Sequence, residues 1–234
     1  MARGVRGCGL RAAGRGAAWV RWAPPSRINR NAQFGGSLAA AGTLLAVTAM
    51  NEDDLDGEPV GAVHLHRWDG GAKSVAVGDG SGALRRSVSF PWEGRLTPWA
   101  RQTYHAFGTS VAVAVRGGTG PYVGAEYVVV GAHYEDNGSA GNASAGLAVT
   151  EAGGGATVTN NGGVWVFGGV PLQPLAHLKA PVAAVSQYFG LTVSLNSGGV
   201  LAIGSRGSCT FWTCGEAGGM GLSLRVTPGI GASI

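Results

Sequence analysis

The stretch "NEDDLDGEP", residues 51–59, places oxygen ligands on alternate residues and then turns sharply. Glu52, Asp54 and Asp56 are followed by Gly57, which is the start of a calcium-loop spacing: hard oxygen donors, then a residue that tolerates the turn. The spacing then fails, because Val60 and Val63 stand where the ninth and twelfth loop positions would supply ligands. A solvated acidic loop is the competing reading. A related run, "HYEDNGS", brings Glu135, Asp136 and Asn137 together further along the chain. His64 and His66 alternate onto one face of a strand and could show two imidazoles to a metal. With no third ligand in reach by sequence, an exposed strand face is the simpler expectation.

Other chemistry is weakly supported. "GGSLA" (35–39) and "GTSVA" (108–112) superficially resemble a nucleophile elbow, but that motif needs a strand-to-helix turn and a closing glycine. Gly118, Gly120 and Gly124 have the wrong spacing for a dinucleotide fingerprint, and no helix pattern follows them. Carboxylate pairs for glycoside hydrolysis depend on a three-dimensional separation that spacing does not provide. Cys209 and Cys214 in "SCTFWTC" are close enough for a local disulfide or stand as two reduced thiols, and Cys8 lies apart. A zinc site lacks a second Cys or His pair. Asn137-Gly-Ser and Asn142-Ala-Ser share one polar loop and become glycosylation acceptors in a secreted protein.

The elements that must carry these residues are short strands. Of the 234 residues, 43 are glycine, set between Val/Ala/Leu runs without a Gly-X-Y period, and no amphipathic helical window occurs beyond the first thirty residues. The chain is therefore expected to be all-β. A recurring unit opens at Phe34 ("FGGSLAAAGTLLAVTA"), Phe107 ("FGTSVAVAV", then "YVVVGA") and Phe189 ("FGLTVSLNSGGVLAIGS"), at spacings of 73 and 82 residues. Each copy reads as strand, Gly-bearing turn, second apolar strand and polar loop. A third strand follows ("GAVHLHRW", "GGVWVFGG"), then a fourth ("RLTPWARQ", "PLAHLKAP"). Copy three loses this pattern after Ser205, where only "CTFWT" offers outer strands.

Residues 1–30 hold seven Arg and no acid, leaving 10 basic against 13 acidic residues in the remainder. No basic stripe interleaved with aromatics runs along the repeats, so nucleic acid is not an expected partner. The basic start has three readings: an organellar transit peptide, the n-region of a signal peptide whose apolar part is 38–49, or, for 18–33, a strand leading into Phe34. The strand reading fits best, because the same apolar pattern recurs deep in the chain where no signal could act; 1–17 is then a basic extension. No run of eighteen apolar residues exists to cross a membrane as a helix.

The order "FGTSVAVAV…YVVVGA…GGVWVF…LAHLKA…YFG" resembles the FG-GAP repeat, the blade unit of integrin α-subunit headpieces and of bacterial and algal surface proteins, over about 18–226. The resemblance implies an all-β, β-propeller-like domain at 18–234 with four-stranded antiparallel blades at about 34–106, 107–188 and 189–226. The phenylalanines would wedge between blades. Because such propellers usually close seven blades, three to four imply an incomplete propeller or one closed by oligomerisation. In the family the calcium loop joins the first two strands, whereas the acidic run at Glu52 follows the second. No cofactor is expected, with calcium the one candidate. The expected function is a non-enzymatic interaction or adhesion module whose loops (51–60, 116–126, 134–163) meet a protein or glycan outside the cell or at its surface. The alternatives are a loop-carried carbohydrate-active enzyme using Asp54, and a nonfunctional fragment of a larger surface protein; an organellar location is the alternative placement.

Overall fold

A computed structural model describes residues 19–21, 31–70, 72–76, 84–99, 106–117, 123–136, 160–180, 186–206, 219–227 and 231–233. The strands among them are β1 (Trp19–Arg21), β2 (Phe34–Ala41), β3 (Leu44–Ala49), β4 (Ala62–Arg67), β5 (Ala72–Ala76), β6 (Leu84–Ser89), β7 (Trp92–Leu96), β8 (Phe107–Val115), β9 (Glu126–Ala132), β10 (Gly163–Gly168), β11 (Gln173–Leu178), β12 (Thr192–Leu195), β13 (Val200–Arg206), β14 (Gly219–Thr227) and β15 (Gly231–Ser233). They form three four-stranded antiparallel blades, β2-β3-β4-β7, β8-β9-β10-β11 and β12-β13-β14-β15, and a three-stranded sheet β1-β6-β5. Among the described residues the fold is all-β and propeller-like, and the blades do not close into a ring. The first strands of the blades lie side by side, β8 between β2 and β12, so each blade runs outward from a common axis to its fourth strand.

Burial explains the strand sequences. The middle blade is sandwiched, and β9, "EYVVVGA", is buried along its whole length, as a strand packed on both faces should be. The third blade has one packed face, and β13, "VLAIGSR", alternates accordingly. Leu201 and Ile203 join Ala112, Val129 and Phe189 in the core between the second and third blades. Between the first and second, Leu44, Ala46 and Leu65 meet Phe107, Val113 and Trp165. Phe107 packs edge-on against Trp165 and Phe167, at 6.2 and 6.3 Å between ring centroids. Burying one such ring contributes roughly 1.5–3 kcal/mol.

The Phe-Gly entry has one geometry in all three copies. The residue before each phenylalanine is left-handed (Gln33, Ala106 and Tyr188, φ 52–54°), and the glycine after it has φ of 87°, 95° and 86°. A Cβ at Gly190 would fall on the Gly163 carbonyl and 2.9 Å from Val164 Cγ2, whereas one at Gly35 would meet nothing within 4 Å. The motif is thus a docking joint onto the blade before it, and among the described residues no blade packs on Gly35.

Several elements differ from the sequence expectation. The third blade is completed by β14 and β15, well after "CTFWT", which lies outside the described residues. Their glycine-rich sequences give too weak an alternation to be read as strands. Of the expected strand at 18–33, Trp19–Arg21 forms β1 and pairs parallel to β6, while 22–30 lie outside the described residues. A hairpin, β5–β6, is inserted between the third and fourth strands of the first blade. The fourth strands also begin earlier than expected, at Trp92 and Gln173.

Replacing Gly190 by alanine is expected to destabilise the chain by about 4 kcal/mol or more, because Cβ strain adds to a clash with backbone. Gly35→Ala should cost only the left-handed penalty, about 1–2 kcal/mol. Urea melts of the two variants check this; equal losses would show that the joint is not docked on the second blade.

Candidate functional site

The connections from second to third strand (50–61 and 133–162) and those entering each Phe-Gly joint emerge at one end of the blades. The turns from first to second strand (Gly42–Thr43, 116–125, 196–199) emerge at the other. Of the three loops singled out by sequence, 51–60 and 134–163 therefore share an end, and 116–126 lies opposite.

At the shared end the acidic runs divide into inward and outward carboxylates. Glu52 is buried at 6% exposure. Its Oε2 accepts from His64 Nε2 at 2.5 Å, and its Oε1 lies 3.1 Å from Arg95 Nε, close enough for charge pairing although not aligned as a hydrogen bond. His64 Nδ1 accepts from Trp92 Nε1 at 3.3 Å, which assigns the ring proton to Nε2. Asp54 closes its own loop instead: Oδ1 accepts the amides of Asp56 at 2.8 Å and Glu58 at 3.0 Å. The candidate calcium oxygens of Glu52, Asp54 and Asp56 do not converge, and among the described residues no three His, Cys, Asp or Glu side chains group to hold a metal.

The second blade repeats the inward carboxylate. Glu135 is 4% exposed, with His177 Nε2 at 3.0 Å and Lys179 Nζ at 2.8 Å, while Lys179 also donates to the Gly162 carbonyl at 3.2 Å. The backbone matches too, since Gly61 N donates to Glu52 O and Gly162 N to Glu135 O, both at 2.9 Å. Arg95 and His177 occupy the same place, each opposite the third residue of its blade's third strand, His64 and Trp165 respectively. Burial works to raise the Glu135 carboxyl, but the His177 hydrogen bond and the Lys179 charge outweigh it and hold the group down to about 2.

The histidines differ from the exposed face expected of them: His64 and His66 are 1% and 0% exposed. They face away from the second blade, beside Phe34 and Phe90. His66 Nδ1 lies 3.1 Å from the Phe90 carbonyl, and burial lowers its pKa. The serines of the elbow-like pentapeptides also serve the fold, Ser110 Oγ donating to Gly190 O across the joint at 2.9 Å and Ser37 N donating to Thr48 Oγ1 at 2.8 Å. Asn137, Asn142, Cys209 and Cys214 lie outside the described residues.

The outward residues of the shared end surround a hollow of about 450 Å³, within the roughly 300–1,000 Å³ range of small-ligand sites. Gln33 and Ala106, the left-handed residues of the first two joints, line it together with Met50 and Asn51. Tyr134, Asp136 and Asn160 complete it from the second blade. Asp136 Oδ1 accepts the Asn160 amide at 2.7 Å, and Tyr134 is 45% exposed, its ring 3.9 Å from that of His133. Sequence reading singled out Asp136 but not the hollow, whose walls come from five separate segments.

Because Glu135 is held below its ordinary value of 4.5, its contribution is present above about pH 4.5 and lost as pH falls through about 2. By linkage this is on the order of 3 kcal/mol. Thermal melts between pH 6 and pH 2 are expected to show a lower midpoint for Glu135→Gln at pH 6 and a shallower fall between pH 4.5 and 2; an unchanged acid limb would show that the pair contributes nothing to folding.

Comparison with known proteins finds no family model that matches the chain and no matching curated relative.

Proposed function

We propose that this chain is a non-enzymatic interaction module of the FG-GAP type that presents the shared end of its blades to a protein or glycan partner, outside the cell or at its surface. The hollow carries the reading. It is concave, mixed in lining, with apolar surface beside the uncharged polar side chains of Gln33, Asn51, Tyr134 and Asn160, and built by connections on a strand frame, where binding residues commonly sit. The two buried carboxylates of that end, Glu52 and Glu135, are engaged in internal ion pairs, which favours recognition over acid–base chemistry. Asn137 and Asn142 belong to the same connection as Tyr134 and Asp136, and glycosylation there would accord with an extracellular setting.

Fluorescently labelled chain applied to a printed array of oligosaccharides and extracellular-matrix proteins tests the proposal. Retained binding is expected for Ser197→Tyr at the opposite end, with a loss of ten-fold or more for Tyr134→Ser. Binding that is indifferent to Tyr134 but abolished by Ser197→Tyr would place the interface at the wrong end, and turnover of an arrayed glycan would replace the module with an enzyme.

A further inference from the structure

The hollow exists because one position of the repeat is small. Ala106 and Tyr188 occupy the same left-handed site before the phenylalanine, with φ of 54° and 53°. At the junction of the second and third blades, Tyr188 fills the space beside the second-strand connection, with its ring 5.8 Å from both His133 and Tyr134. At the junction of the first and second blades, Ala106 leaves the corresponding space open beside Met50 and Asn51.

From this we infer that the hollow is a binding site for a neutral saccharide unit of one or two rings, an inference that rests on the module reading above. The lining chemistry selects the class. Gln33, Asn51 and Asn160 bring side-chain amides, each with donors and an acceptor and without charge. Sugar hydroxyls are likewise both donors and acceptors, so they can pair with amides in either sense. Tyr134 supplies a half-exposed ring against which the apolar face of a pyranose can lie. Asp136 is the ionisable side chain in the wall apart from the Tyr134 phenol, and its carboxylate already accepts from the backbone N–H of Asn160. That negative charge disfavours uronic acids and sulfated or sialylated sugars. An organic cation would call for several aromatic faces, and one ring lines this site.

The test is a titration of the full chain with neutral mono- and disaccharides (hexoses and N-acetylhexosamines) and with an acidic set (glucuronate, sialyllactose), followed by saturation-transfer NMR and calorimetry. At least one neutral sugar is expected to bind with a Kd of about 1 mM or tighter, equivalent to roughly −4 kcal/mol. Ala106→Tyr places beside the hollow the side chain that the same backbone carries at Tyr188; Ala106 is only 5% exposed, so a lowered melting temperature is expected, and the folded variant should bind that sugar at least ten-fold more weakly. Gln33→Tyr, at the exposed equivalent position, is a second occluding variant should Ala106→Tyr fold poorly. Asp136→Asn should narrow the preference for neutral over acidic sugars. Absence of neutral-sugar binding up to 10 mM, unaltered binding in both occluding variants, or a preference for the acidic set would overturn the inference. Free saccharide binding together with array binding marks a glycan terminus as the source, whereas free binding alone marks a soluble sugar. If saccharides fail but a matrix protein's binding is lost in Ala106→Tyr, the saccharide inference falls and the module stands; if no ligand depends on this end, both fall.

Discussion

Everything else depends on the Phe-Gly joint. A single four-stranded antiparallel blade has two faces and can wet only one without losing apolar burial, so it persists by stacking. The joint makes stacking specific. The left-handed residue reverses the chain, the phenylalanine enters the core against its neighbours, and the glycine brings backbone against the start of the preceding blade's third strand. At the second junction that approach becomes a parallel bridge between Gly162 and Phe189. A side chain at either glycine of such a contact would push the blades apart; Phe107 and Phe189, at such contacts, are almost fully buried, while Phe34, against which no blade packs among the described residues, is only half-buried.

Charges are then placed where the joint leaves ends to be tied. At one end Glu52 and Glu135 pull the second-to-third-strand connections inward. At the other end Arg67 reaches from the first blade to the second, donating from both terminal nitrogens to Glu126 at 2.6 and 2.8 Å and from Nε to Glu93 at 3.0 Å. Those hydrogen bonds, that to Glu126 foremost, raise the guanidinium above its ordinary pKa. Bidentate geometry gives this pair direction as well as charge. A buried carboxylate is costly when it loses its partner, so these pairs act more as register pins than as sources of stability: a fourth strand that slips within the second blade leaves Glu135 unpaired in a dry environment.

Strand type and repeat were legible because they rest on period and on the few residues that tolerate positive φ. "FGTSVAVAV" and "YVVVGA" have little choice but to pair, and Phe-Gly marks where the chain must turn tightly. What was hidden rests on partners distant in sequence. Nothing adjacent to Glu52 announces His64 and Arg95, so a buried ion pair looks on paper like part of a solvated loop. His64 and His66 look exposed because alternation specifies that they share a face, not what covers it; Phe90, from the far side of the inserted hairpin, could not be placed by spacing. The third blade's last strands were missed because "GMGLSLRVT" dilutes its alternation with glycine.

Repetition also shows where binding capacity can arise. Positions fixed by the joint cannot vary, since Gly108 and Gly190 are crowded by the preceding blade and the buried phenylalanines fill its core. The left-handed residue just before is different: its backbone is constrained, but its side chain varies from the exposed Gln33 to the buried Ala106 and the half-buried Tyr188 in successive copies. Changing it alters the shape of that end while the left-handed strain stays the same, because the strain is borne by the backbone whichever side chain is attached. A scaffold of this kind can open or close a hollow by one substitution per blade, and the first junction, with Ala106, is the open case.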